Sequence, residues 1–162
     1  MEAGAAPRRS ARGDRYGRER CRALDIAARI VFGVSVMDRQ IEEYLVAMGA
    51  ARSGIEKREE RVRAVRRMSL SMRLERIGEH IRDVDVGALQ ERVEGIREVR
   101  NALAHSTLDV NARGSVGLDP KMKEYRTESL AATLGETESC NALLREIFEA
   151  AIMGRDAMGG EA

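Results

Sequence analysis

From about residue 20 to 48, apolar side chains recur at alternating steps of three and four: Leu24, Ala27, Val31, Val34, Ile41, Leu45 and Met48, with Asp38 in the same register. This spacing predicts one long amphipathic helix. Ile26, Ile30, Met37 and Tyr44 widen its apolar face, Gly33 is a tolerable weak point, and Gly49 with Ser53-Gly54 supplies the stop. Asp38 is the misfit, read either as a carboxylate at the stripe's edge paired with an arginine or as an active-site group.

A second helical stretch runs from about 55 to 82. The phase set by Val62, Val65 and Met68 shifts to Leu70, Leu74, Ile77 and Ile81 around Ser69 and Ser71, which predicts a kink or two short helices. The third helix, about 86 to 105, carries the seam Val86, Leu89, Val93, Ile96, Arg100 and Leu103. Helical periodicity then ends. Asn111-Ala-Arg-Gly114 separates two short alternating pieces, Thr107 to Val110 and Ser115 to Leu118, as in a loop or small hairpin. Thr127 caps a last helix to about Met153, with Leu130, Leu134, Leu143, Leu144, Ile147 and Phe148 inward and Gly154 beyond its end. The expected fold is all-α, an antiparallel bundle of four to five helices with a small irregular or hairpin insert before the last one.

At 162 residues the chain is long enough for one domain with a core. Residues 1–18 have no apolar periodicity and read as a flexible, Arg-rich arm, 19–154 as the helical domain, and 155–162 as a flexible tail. The 28 basic and 27 acidic groups nearly cancel, so any electrostatic footprint is local. Cys21 and Cys140 make no disulfide framework, and with only His80 and His105 beside them neither a metal site nor a cofactor is expected. His80 reads as a solvated helix residue. No apolar run reaches membrane-spanning length, so a cytoplasmic protein is expected.

The second stretch carries nine Lys and Arg against five Glu over residues 55–82, a surface that RNA could use. Arg66, Arg67 and Arg73, with Arg97 of the third helix, are the candidate RNA contacts. The competing reading pairs these arginines with the acidic C-terminal part, where residues 106–162 hold 6 basic and 10 acidic groups.

The chemically informative anomaly is Arg100, which occupies a seam position. Burying a guanidinium without a partner is costly, so either an acid such as Asp38 or Glu98 pairs with it, or the seam opens onto a groove or a second subunit. Arg97, Asn101 and His105 form a row at spacings of four beside that seam. A histidine in a last helical turn is held protonated by the helix dipole and titrates near neutrality. Arg, Asn and His without acidic or thiolate ligands point to an oxyanion or phosphate site more than to a metal. The bland alternative is a capping His105, a surface Asn101 and an ion-paired Arg100.

The run Arg100-Asn-Ala-Leu-Ala-His105, followed by Ser106, resembles the Arg-x4-His motif of the HEPN family (higher eukaryotes and prokaryotes nucleotide-binding), in which Asn directly after the Arg is common. The likeness extends in outline over residues 20–153. It implies a helical bundle that dimerises, placing two motifs across a shared cleft, and a metal-independent endoribonuclease leaving a 2′,3′-cyclic phosphate. On this chain the resemblance makes His105 the general acid-base group, Arg100 the holder of the scissile phosphate, and Asn101 the residue that orients His105 or donates to the phosphate. It also implies a toxin-antitoxin or phage-defence setting, with a nucleotidyltransferase-type antitoxin or another defence-system protein as a partner. No Tyr follows His105 closely, so the variant in which such a partner modifies a nearby Tyr is not supported. The alternative within the resemblance is a non-catalytic module that binds a nucleotide, RNA or a partner protein.

Overall fold

The computed structural model describes residues 11–49, 58–81, 84–104, 109–110, 115–117 and 125–158. Five helices, α1 (Ala11–Gly49), α2 (Arg58–Arg67), α3 (Leu70–Gly78), α4 (Val86–Ala104) and α5 (Thr127–Met158), form an all-α bundle. Between α4 and α5 lies an antiparallel meander of three short strands, β1 (Asp109–Val110), β2 (Ser115–Gly117) and β3 (Tyr125–Arg126). Val110 faces Val116 across the first pair, the hairpin expected there, and Val116 faces Tyr125 across the second, a strand that two residues could not announce.

The register shift around Ser69 becomes a helix boundary. The Ser69 hydroxyl accepts from the Met72 amide and caps α3, while the Arg73 guanidinium donates to the carbonyls of Val65 and Arg66 that end α2. Asp85 does the same service for α4, accepting from the Ala88 amide.

Side-chain pairings set the directions. Arg97 of α4 meets Asp38 of α1, and Leu103 joins Ala23, Ile26, Ala27 and Ile30, so α4 runs antiparallel to α1. Ser71 bonds with Gln90 while Gly78 lies against Val86, so α3 also opposes α4. Arg92 pairs with Glu136 and Leu103 meets Leu130 and Leu134, so α5 opposes α4 too. The antiparallel expectation gives way in one place. Gly33 meets Thr137 and Asn141, and Tyr44 stacks on Phe148 at 4.2 Å, so α1 and α5 run side by side in the same direction. Both oppose α4, and two helices that oppose a third must share a direction.

This pairing recentres the buried face of α1. Ile26, Ile30, Met37 and Tyr44, expected only to widen the stripe, are buried, while Leu24, Val31, Asp38 and Met48 are half-buried at its edge. Helix α1 packs against α2, α3, α4 and α5, and several neighbours demand a wider apolar arc than a single seam. On α4 the seam holds as expected, with Leu89, Val93, Ile96 and Leu103 buried.

Both ends of the bundle carry more helix than the apolar pattern indicates. Residues 11–18 are helical in α1, and α5 continues through Gly154 to Met158. Extending an existing helix avoids the nucleation cost, and the Ala and Arg of the N-terminal segment propagate it well enough to carry Gly13 and Gly17.

The two thiols differ sharply: Cys21 is exposed and Cys140 is buried. Burial pushes the Cys140 thiol up, although Arg92 nearby acts the other way. Iodoacetamide at neutral pH is therefore expected to label one thiol per folded chain, Cys21, and the second only after unfolding. Mass-spectrometric mapping checks this, and labelled Cys140 in native protein would contradict the packing.

Candidate active site

The end of α4 is fixed by its seam. Ile96 and Leu103 are buried on either side of Arg100, so the backbone carrying Arg100 is held from both directions. Arg100 itself is half-buried and Asn101 is exposed. The Arg100 Nη1 donates to the Asn101 Oδ1 at 2.9 Å. Its Nε is buried with no hydrogen-bond partner among the described residues. Neither of the acids considered as its partner takes it: Asp38 accepts from Arg97 at 3.0 Å, and Arg100 has no ion pair with Glu98.

Chemically, this leaves Arg100 with unused donors beside the bond that orients Asn101. With its Oδ1 occupied, the Asn101 amide presents its NH2 group outward. Both are arrangements that favour an incoming oxyanion. His105 lies outside the described residues.

The proposed RNA-contacting arginines are divided by the fold. Arg66 forms a two-pronged bond to Glu42 of α1, at 2.9 and 3.0 Å, and that carboxylate raises the guanidinium's pKa. Arg73 closes the end of α2. Arg97 is held by Asp38, each side chain 35% exposed. Arg67 alone of the four is exposed with no ion pair among the described residues. The acid that engages Arg66 belongs to α1, whereas the α5 acids Glu136 and Glu138 take Arg92 and Arg29. Glu136 holds the Arg92 guanidinium above its usual value through their hydrogen bond.

Asp38 is a carboxylate at the stripe's edge paired with an arginine, one of the two readings its position offered. Which arginine was not legible in the sequence: Arg97 and Arg100 lie within one turn and only packing distinguishes them. Asp38 also lines a charged groove of about 640 Å³ between α1 and α2, together with Ser35, Glu42 and Arg66.

His80 sits in the turn after α3, beside the start of α4. Fourteen residues of helix separate Val86 from Arg100, about 21 Å, so His80 does not serve this end of the bundle. Among the described residues no group of three or more His, Cys, Asp or Glu is placed to hold a metal ion, and no helix is long and apolar enough to cross a membrane.

Compared with protein-family models, with curated proteins and with solved structures, the chain matches none.

Proposed function

We propose that this chain is a metal-independent endoribonuclease of HEPN type acting as a homodimer, in a toxin-antitoxin or phage-defence setting with a nucleotidyltransferase-type antitoxin. The observation that carries the reading is the state of Arg100: a seam arginine with a buried, unbonded Nε and no carboxylate partner among the described residues. A structural arginine at such a position is expected to be ion-paired. One left open is available to a phosphate.

In this reading Arg100 holds the scissile phosphate and stabilises the charge developing on it, while Asn101 positions His105 or donates to the phosphate. The RNA 2′-oxygen attacks phosphorus and gives its proton to a base. The P–O5′ bond breaks, and the 5′-oxygen leaves with a proton from an acid, producing 2′,3′-cyclic phosphate and 5′-hydroxyl ends. Each chain supplies one motif histidine, so separate acid and base groups require the two His105 side chains of a dimer.

The test is cleavage of labelled total RNA and tRNA by wild type and His105→Ala, both in EDTA, with the product ends analysed. Wild type is expected to cut and leave cyclic phosphate, and the variant to lose about 10²- to 10⁴-fold in rate. Equal cutting by both would mark contamination. Binding without turnover by a folded dimer would favour the non-catalytic module.

A further inference from the structure

Among the residues of α1 whose burial is described, which begin at Gly17, the first buried one is Ala23, and between Gly17 and Arg22 only Glu19 is even half-buried. Six residues separate Gly17 from Ala23, so about 9 Å of largely exposed helix precedes the first buried position. Its direction is set by the antiparallel pairing of α1 with α4: moving from Arg97 to Leu103 along α4 moves from Asp38 back toward Ala23–Ile30 on α1. The segment from Gly17 to Arg22 therefore lies toward the same end of the bundle that carries Arg100 and Asn101.

The charge at this end of α1 is one-sided in sign. Residues 11–22 contain Arg12, Arg15, Arg18, Arg20 and Arg22 against Asp14 and Glu19. Arginines at a helix N-terminus oppose the macrodipole and weaken the helix, so local stability does not account for them. The stretch from Gly17 to Arg22 also has no apolar face, which sets it apart from helices that lie on lipid.

The arginines of this segment do not share a face. Arg20 is eighteen residues, five whole turns, from Asp38, and so lies on the side of α1 whose row continues through Ala27 and Val31 to the contact with Arg97. Arg18 and Arg22 are rotated by about 160° to either side of that row and fall on the far face, in line with Arg29. All three are exposed, and none has an ion pair among the described residues. Arg20 thus stands on the motif-facing side, about 20 Å along the axis from Arg100, a span that a few nucleotides of extended single strand cover.

We infer that Arg20 is an RNA-binding residue that holds the substrate backbone a few nucleotides from the phosphate at Arg100. This rests on the ribonuclease reading above. The contact is to phosphate, because an exposed guanidinium with no carboxylate partner among the described residues pairs best with a phosphate oxygen.

The experiment measures binding of a fluorescent single-stranded RNA at several salt concentrations, using His105→Ala protein so that the strand stays intact. Steady-state cleavage is measured in parallel with His105 present. Arg20→Ala is expected to weaken binding roughly five- to tenfold at low salt, to reduce the salt slope by about 0.7, and to raise KM with kcat unchanged. The Arg18→Ala/Arg22→Ala double variant, which removes twice the charge from the far face, is expected to bind like wild type. With the dinucleotide that spans the cut as substrate, too short to reach Arg20, the Arg20 effect is expected to vanish.

If Arg20→Ala binds as wild type does, or the far-face variant loses at least as much, the inference fails while cleavage by wild type still stands. If wild type neither binds nor cuts RNA, the ribonuclease reading fails and takes this one with it.

Discussion

Arg100→Ala is expected to melt at the wild-type temperature or slightly above it, while RNA cleavage falls by about 10²- to 10³-fold, the usual loss when one oxyanion donor is removed. The two halves of this result have separate causes. Among the described residues Arg100 has no carboxylate to orphan and its buried Nε has no hydrogen-bond partner, so truncation removes an uncompensated donor along with the packing of the side-chain stem. Breaking a buried ion pair would instead cost about 3–5 kcal/mol, because the other charge stays behind. A melting curve and a single-turnover rate on the same preparation decide the matter. A large drop in Tm would reassign Arg100 to the structure of the core. Arg100→Lys adds a check, since it keeps the charge and loses the fork; its rate is expected to stay well below wild type.

The second large effect is on stability and lies at Gly33. A Cβ placed there would stand 2.5 Å from the Thr137 Cγ2. Thr137 is buried, and its hydroxyl donates to the Thr133 carbonyl at 2.7 Å, so the methyl has no cheap way to swing aside. Asn141 donates to the Gly33 carbonyl at 3.0 Å, holding α1 and α5 close at the same point. Gly33→Val is therefore expected to lower stability by about 3 kcal/mol through overpacking. Gly33→Ala should lose about 1 kcal/mol, because a gain of roughly 1 kcal/mol in helix propensity offsets part of the clash. Adding Thr137→Ser, which removes the methyl and keeps the hydroxyl, should restore Gly33→Ala to wild-type stability or above. Urea denaturation of the four-member cycle reads the coupling directly. Additive losses would mean that the close approach of α1 and α5 is not what selects glycine.

Gly33 also illustrates where a linear reading stops. Along the chain it is a weak point in a long helix; in the bundle it is the position where the first and last helices touch. Periodicity reports which face of a helix avoids water, and it located the seam of α4, the break at Ser69 and the hairpin ahead of α5 because each is written in residues close together in sequence. It could not report that α2, α3, α4 and α5 all pack against α1, since an apolar arc shows which side is covered and not by what. The arginines show the same limit. With 28 cations and 27 anions in the chain, formal charge leaves the partners of Arg66, Arg92 and Arg97 undetermined, and the backbone geometry selects Glu42, Glu136 and Asp38. Burial patterns are local and repeat with the helical turn, so the sequence by itself determined the helices, their apolar faces and the presence of an arginine where an apolar residue belonged. Pairing depends on which elements meet across a hundred residues of chain, so only the tertiary structure decided that Arg97 would be tied down and Arg100 left open.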